Sequence, residues 1–171
     1  IKKARLIGNP GCYTTCSILG LAPLLAKGLV EPKNIIIDAK SGVTGAGRGL
    51  GIDYHFCECT ESMKAYKVAT HRHTSEIEQE LSLLAGEDIQ LSFTPHLVPM
   101  KRGIYATEYA NLKQPMDTEE LIAIYKEFYK EVFKEEDYEK RRRQVYRFLV
   151  DAAGDGGVMP TIMPGAMKLG K

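Results

Sequence analysis

Hydrophobic residues recur along this chain with two periods, one typical of helices and one typical of strands. A helix is predicted to begin near Cys12 and to end near Gly28, with one apolar face formed by Ile18, Leu21, Ala22 and Leu25. A short strand over residues 4–8 is expected before it, and the turn residues Asn9-Pro10-Gly11 bend the chain between the two. Cys12 is therefore expected at a helix N-terminus.

Three further segments read as strands, because β-branched and aromatic residues are frequent in them. They cover residues 34–40, 89–94 and 103–110, and a proline-bearing loop over 95–99 is expected between the last two. The first of these strands runs into a glycine-rich segment over 41–51, which is expected to be a loop.

Two capping-box patterns predict the starts of two more helices. Ser75 with Glu78 favours a helix over 75–85, and Asp117 with Glu120 favours a helix that reaches about residue 133. The alternation of strand-like and helix-like segments favours an α/β or α+β domain.

The length of 171 residues suits one domain, and 44 % hydrophobic residues can supply one core. A net charge of +1 gives no overall attraction to nucleic acid or anionic lipid, so neither is expected as a partner. No apolar run approaches the ~18 residues of a membrane span, and the N-terminus lacks a secretory pattern, so a cytoplasmic location is expected. The chain begins with Ile1, which fits a fragment of a longer protein or N-terminal processing.

The cysteines are expected to bind no metal. Their spacings, C-x3-C and C-x-C, differ from the C-x2-C pattern of zinc knuckles. Cys12 is the candidate for chemistry, because a helix dipole favours a thiolate at the helix start and unpaired N–H groups there can stabilise an oxyanion. A buried, unreactive cysteine is the alternative interpretation.

A second candidate site is the tripeptide His71-Arg72-His73, since three such side chains seldom belong to a hydrophobic core. Either histidine could exchange protons with Cys12, and His71 is slightly favoured. The third candidate is the glycine-rich loop, whose backbone can approach a ligand closely. It is neither a Walker A loop nor a dinucleotide fingerprint, and a flexible surface loop is the alternative.

Together these motifs resemble the N-acetyl-γ-glutamyl-phosphate reductases of arginine biosynthesis. The resemblance covers about residues 1–130 and rests on the segments 9–13, 41–48, 71–77, 93–97 and 102–104. It implies an α+β fold, with a mixed, largely antiparallel sheet covered by helices, similar in plan to the catalytic domains of aspartate-semialdehyde and glyceraldehyde-phosphate dehydrogenases. It also implies a homo-oligomer and a small-molecule acyl-phosphate substrate.

The resemblance implies a reaction in which Cys12 forms a thioester, with His71 or His73 as the acid. It places Arg72 and Glu76 at the substrate. NADP is implied as the cofactor, bound mostly by a domain that this chain lacks, with contacts here from Ser41, Gly42, Gly45, Gly47 and Arg48. Without that domain the chain is expected to be inactive as a reductase.

Two positions depart from the usual family pattern, which has proline where this chain has Thr14 and Ser75. Both hydroxyls are expected to cap a first helical turn instead. The catalytic and oligomerisation domain is expected to span residues 1–134, followed by an extra helix and a loose Gly/Met/Pro-rich tail over 135–171. Two other functions stay open: a non-catalytic oligomerisation or binding module, and a cysteine hydrolase or acyltransferase that needs no cofactor.

Overall fold

A computed structural model describes residues 5–130 of the chain. Its four helices are α1 (Cys12–Ala26), α2 (Phe56–Cys59), α3 (His73–Ala85) and α4 (Thr118–Tyr129). Its four strands are β1 (Ile35–Ser41), β2 (Lys64–Ala65), β3 (Leu91–Leu97) and β4 (Ile104–Tyr109). The glycine-rich segment is a loop that contains one short 3-10 turn, Val43–Ala46, and a second such turn, Ile52–Tyr54, directly follows it.

The strands form one mixed sheet in the order β2-β3-β1-β4. β1 and β3 run parallel, and the chain between them contains α3, because a parallel pair needs a long crossover. β4 is antiparallel to β1, and β2 is antiparallel to β3. The predicted mixed, largely antiparallel sheet with helices is therefore confirmed.

The core lies between the sheet and the helices α1 and α3, which pack against each other. Every second residue of β1 is buried, so one face of this strand supplies the core. The buried hydrophobic cluster consists of Tyr13, Leu21, Leu25, Val30, Ile35, Ile37, Ala39, Ile77, Leu81, Ile89 and Phe93. Because Tyr13 at the start of α1 and Ile77 and Leu81 in α3 belong to this cluster, their burial fixes how the two helices pack against each other.

Helix α1 ends as predicted at Gly28, which has a φ of 65°. The N–H of Gly28 donates to the carbonyl of Leu25 and that of Leu29 to the carbonyl of Leu24, which is the Schellman arrangement. Because glycine adopts this left-handed conformation at little cost, the residue specifies where the helix stops.

Pro23 lies inside α1 and lacks the N–H that would bond the carbonyl of Leu19. The hydroxyl of Tyr129 donates to that carbonyl instead, over 2.7 Å. The hydroxyl of Tyr125 donates to the next carbonyl, that of Gly20. The aromatic face of α4 is thus used for hydrogen bonding to α1 as well as for packing.

The capping box predicted for α4 is present. The carboxylate of Asp117 accepts from the N–H of Glu120 at 2.8 Å, and the carboxylate of Glu120 accepts from the N–H of Asp117 at 3.0 Å. The helix is described to Tyr129, and its predicted end near 133 lies outside the described residues.

Substituting Asp117 by Ala is expected to reduce the stability of α4 by about 1 kcal/mol, because the N–H of Glu120 loses its acceptor. Amide hydrogen exchange of the α4 backbone would measure the change. Glu119→Ala is the matched control, since that exposed carboxylate lies in the same turn without capping. Equal exchange in the two variants would contradict the assignment.

Two strand predictions need correction. Residues 5–8 form no strand, and Leu6 and Ile7 are 89 % and 63 % exposed, because no described strand lies beside them to pair with. The segment 95–97, predicted as loop, belongs to β3. The carbonyl of Pro95 accepts from the N–H of Tyr66, the residue that follows β2. The missing N–H of Pro95 lies on the same edge of β3, where the short strand β2 has already ended, so no hydrogen bond of the sheet is lost.

The capping box predicted at Ser75 is wrong. Helix α3 begins two residues earlier, at His73, and the hydroxyl of Ser75 donates to the carbonyl of Arg72 over 3.4 Å. The carboxylate of Glu78 accepts instead from the N–H of Leu91 at the start of β3. Glu78 thus makes a tertiary contact with β3 in place of the predicted local contact with Ser75. The predicted end at Gly86 is confirmed by its φ of 73°.

The extra helix and tail predicted for 135–171 lie outside the described residues. In the part of the chain that is described, no helix combines the length and the apolar character needed to cross a membrane.

Candidate active site

Cys12 is the first residue of α1, and its side chain is an exposed free thiol. Gly11 is the N-cap, in an extended conformation and without a side-chain cap. Its carbonyl accepts from both the N–H and the hydroxyl of Thr15. The predicted helix-start position of Cys12 is thus confirmed, and the alternative of a buried cysteine does not hold. The N–H groups of this first turn point away from the helix, as those of any helix start do.

His73 lies directly against the turn that carries Cys12. A Cβ on Gly11 would lie 2.5 Å from Nε2 and 2.7 Å from Cε1 of the imidazole, so only glycine leaves room for the ring. Burial and the charge of Arg72 lower the pKa of His73, whereas Glu76 raises it. Nδ1 of His73 is buried and has no hydrogen bond within the described part of the chain.

His71 is buried next to His73, and the centroids of the two rings are 4.8 Å apart. The N–H of His73 donates to Nδ1 of His71 over 3.2 Å. Because a backbone N–H can only donate, Nδ1 carries no proton, and the neutral ring has its proton on Nε2. Burial lowers the pKa of His71, with smaller contributions from His73, Lys67 and Arg72. The neutral form is therefore favoured.

Aromatic rings hold the two imidazoles in place. Tyr13 makes edge contacts with His71, His73 and Phe93, at centroid distances of 5.5, 6.2 and 5.2 Å. The hydroxyls of Tyr13 and Tyr66 are hydrogen bonded over 3.0 Å, and burial raises the pKa of both phenols. Because Tyr13 directly follows Cys12, one helical turn carries both the exposed thiol and the buried ring that contacts the two imidazoles.

Thr14 does not cap α1, contrary to the expectation. Its fully buried hydroxyl donates to Oε2 of Glu76 over 2.9 Å, which connects α1 to α3. Glu76 lies one turn after His73. Arg72, at the N-cap of α3, is exposed beside the two histidines. The structure therefore collects Cys12, all three residues of the tripeptide and Glu76 around one pair of helix starts.

The glycine-rich loop divides into a packed part and an open part. Ser41 is a buried end residue of β1, and a Cβ on Gly42 would lie 2.7 Å from the backbone of Arg102, so these two positions serve packing. Gly47 has a φ of 80° and nothing within 4 Å of a Cβ position. Gly45 and Arg48 are exposed as well. Only the open part leaves its backbone accessible to a ligand.

A buried carboxyl group beneath α1 has no counterpart in the sequence predictions. Burial raises the pKa of Glu108 to about 8, and a Cβ on Gly20 would lie 2.0 Å from its Oε2. Burial also raises the pKa of Cys16 to about 11, with Glu108 adding to the shift. Cys16 therefore stays a thiol.

A second unpredicted pair lies on the opposite face of the sheet. Nδ1 of His96 is 3.1 Å from Oδ1 of Asp38, whose other oxygen pairs with Lys40. The sequence shows these groups 58 positions apart, and only the parallel pairing of β1 and β3 brings them together. Among the described residues, no cluster of three or more His, Cys, Asp or Glu is arranged to hold a metal ion.

Comparison with known families identifies the fold around this site. The family description "semialdehyde dehydrogenase, dimerisation domain" matches residues 12–135, which begin at Cys12 and include every described helix and strand. The chain belongs to the semialdehyde dehydrogenase family. The resemblance inferred from the motifs is thereby confirmed at the level of the family.

Curated relatives of this semialdehyde dehydrogenase domain are named N-acetyl-gamma-glutamyl-phosphate reductase. The protein of Acetivibrio thermocellus is 68 % identical over 130 residues, which are 76 % of this chain and 38 % of that protein. The protein of Caldicellulosiruptor bescii is 59 % identical over 133 residues, 78 % of this chain and 39 % of that protein. The chain thus spans under two fifths of the length of these relatives.

Among solved structures, the semialdehyde dehydrogenase domain is similar to aspartate semialdehyde dehydrogenase II from Vibrio cholerae. The TM-score is 0.52 with 15 % sequence identity, over 69 % of this chain and 42 % of that one. At this level of identity the likeness concerns the fold alone, and it agrees with the predicted similarity in plan to the catalytic domains of aspartate-semialdehyde dehydrogenases.

Proposed function

We propose that the chain forms the catalytic part of an NADPH-dependent reductase that converts N-acetyl-γ-glutamyl phosphate to N-acetylglutamate semialdehyde in arginine biosynthesis. One observation carries the proposal: an exposed thiol begins α1 while the imidazole of His73 lies against the preceding residue, Gly11. A nucleophile beside a proton-exchanging group is what acyl transfer requires. The names of the curated relatives support this choice of substrate.

In the first half-reaction the Cys12 thiolate attacks the carbonyl carbon of the acyl phosphate. A carbon–sulfur bond forms, the carbon–oxygen bond to phosphate breaks, and inorganic phosphate leaves with the electron pair. The N–H groups at the start of α1 stabilise the oxyanion that forms on the way. The product is a thioester on Cys12.

His73 is the proposed acid and base, in preference to His71. Nδ1 of His71 already accepts a hydrogen bond from the backbone, and its Nε2 carries the proton, so His71 has no free lone pair with which to act as a base. Nε2 of His73 faces the Cys12 turn. His73 would take the thiol proton and later protonate the alkoxide that forms when the thioester is reduced. The neutral His71 would orient the backbone of His73 by accepting the hydrogen bond from its N–H.

Arg72 and Glu76 are proposed to bind the substrate. The exposed guanidinium of Arg72 suits the phosphate, because arginine binds phosphate oxygens through two parallel hydrogen bonds. Glu76 offers a carboxylate that can accept from the amide N–H of the N-acetyl group. Both lie in the same helix start as His73.

NADP is the proposed cofactor, and a nicotinamide supplies the hydride that reduces the thioester to an aldehyde. The exposed backbone of Gly45 and Gly47 and the exposed charge of Arg48 fit close approach of an anionic ligand, so these three residues are the proposed contacts in this chain. Ser41 and Gly42 would act by supporting the loop. Most of the cofactor would be bound by protein outside this chain, within a homo-oligomer in the cytoplasm.

The first half-reaction can be tested without a hydride donor. The 171-residue chain is mixed with N-acetyl-γ-glutamyl phosphate, inorganic phosphate is followed with time, and the acylated residue is located by peptide mass spectrometry. We expect a burst of at most about one phosphate per chain and an acyl group on Cys12, because nothing removes the thioester quickly. Cys12→Ser should show neither signal, and Cys57→Ser, which removes another exposed thiol, should keep both.

The other outcomes would each replace the proposal. Continuous release of phosphate that depends on Cys12 would favour a cysteine hydrolase. No burst and no adduct would favour a binding module that retains the motifs without the chemistry.

A further inference from the structure

We propose that Thr14 is a positioning residue that fixes the Glu76 carboxylate beside His73. The inference rests on the proposed function, because it assigns His73 the proton transfer. The observation behind it is the 2.9 Å hydrogen bond from the Thr14 hydroxyl to Oε2 of Glu76, which joins the first turns of α1 and α3.

The donor in this contact is held firmly. Thr14 is 0 % exposed, and a β-branched side chain in a helix has few χ1 rotamers. A buried hydroxyl also needs a partner, since an unsatisfied polar group in the interior is costly. The direction of the Thr14 hydroxyl is therefore set by the packing of α1 on α3, and the carboxylate of Glu76 is the acceptor that this packing provides.

The acceptor is well placed to act on His73. Residues three positions apart on a helix share a face, so the Glu76 side chain neighbours His73. Its negative charge raises the pKa of His73 and opposes the effects of burial and of Arg72. The carboxylate is only partly buried, and without the Thr14 hydroxyl it is free to turn toward solvent, where its attraction for the imidazolium is screened.

The bond uses one carboxylate oxygen of Glu76. The oxygen that accepts from Thr14 is Oε2, which leaves Oε1 as the oxygen proposed to accept from a substrate N–H. Thr14 would thus set two properties together, the protonation of His73 and the orientation of a substrate-binding oxygen.

The test is an NMR titration of the histidine rings in the 171-residue chain. Thr14→Val keeps the shape and removes the hydroxyl, and we expect it to lower the titration midpoint of His73. Glu76→Gln should lower it in the same way, and the double variant should add little to either single change. Thr14→Ser should restore the midpoint, because it restores the donor.

Two controls separate positioning from a general loss of structure. Thr15→Val removes a hydroxyl in the same turn that donates to Gly11 rather than to Glu76, and it should leave the His73 midpoint in place. The backbone amide resonances of residues away from α1 and α3 report on the rest of the fold and should be alike in all variants.

An unchanged His73 midpoint in Thr14→Val, or a shift that Thr14→Ser fails to restore, would overturn the inference. Neither result would bear on the Cys12 acylation experiment, so failure of this inference and failure of the proposed function are distinguishable.

Discussion

Replacing Gly11 by Ala is expected to slow acylation of Cys12 about 100-fold, since a displacement of about 1 Å in a catalytic group can have an effect of that size. The added Cβ would lie 2.5 Å from Nε2 of His73, so the imidazole must move. The backbone of Gly11, with φ −67° and ψ 162°, suits alanine equally well. The effect would therefore come from the contact with His73 and not from backbone strain. The rate of the phosphate burst measures it.

Two further variants make this prediction specific. Gly8→Ala adds a methyl group where nothing lies within 4 Å, and it should acylate at the normal rate. In a His73→Ala background the space beside Gly11 is vacated, so adding Gly11→Ala should cost much less than it does in the native chain. A Gly11→Ala protein as fast as Gly8→Ala would show that His73 does not act from this position.

The contribution of Glu108 to the stability of the domain is expected to fall as pH rises from about 5 to about 8, by as much as about 4 kcal/mol, because this carboxyl group changes its protonation on folding. Its pKa is about 8 in the folded chain, against an ordinary value of 4.5. Between these values the folded state holds a proton that the unfolded state has released, so each rise in pH favours unfolding. Below pH 4.5 both states are protonated and the dependence vanishes.

Urea unfolding at a series of pH values would measure this slope. Glu108→Gln keeps a neutral group of similar shape and should flatten the dependence, while Glu87→Gln, an exposed glutamate, should leave it unchanged. The groups that face Glu108 are Cys16 on α1 and the phenols of Tyr125 and Tyr129 on α4, none of which titrates in this range. Identical slopes in the native protein and Glu108→Gln would contradict the prediction.

The part of the site that follows from local rules was predictable from the sequence. A turn sequence followed by helical periodicity is enough to place Cys12 at a helix start, and two imidazoles around an arginine are conspicuous in any sequence. The proposed choice of His73 over His71 was not predictable. It depends on the contact between the His73 ring and Gly11 and on a backbone N–H that occupies Nδ1 of His71, and both are properties of the folded arrangement.

Elements of the fold divide in the same way. Gly28 and Gly86 end their helices as the sequence indicates, because a left-handed residue is a local requirement. The capping box predicted at Ser75 was wrong because the pattern considers only neighbouring residues, whereas the Glu78 carboxylate accepts from an N–H at the start of β3. The two-residue strand β2 is too short to show a period at all.

Long-range contacts between polar groups were not predicted. Thr14 and Glu76 are separated by 62 positions, and the sequence around each residue gives no sign of the hydrogen bond between them. Glu108 lies in a strand whose partner, β1, and whose covering helix, α1, come much earlier in the chain. Burial of a carboxyl group is a property of packing, and periodicity alone does not reveal it.

The bond between Tyr129 and the Leu19 carbonyl has a consequence for biosynthesis. The two residues are 110 positions apart, so at ribosomal rates roughly 5 to 20 s pass between the emergence of the acceptor and that of its donor. During that interval water must occupy the acceptor that Pro23 leaves open. The helix that carries Cys12 therefore reaches its full set of hydrogen bonds only after α4 has been translated.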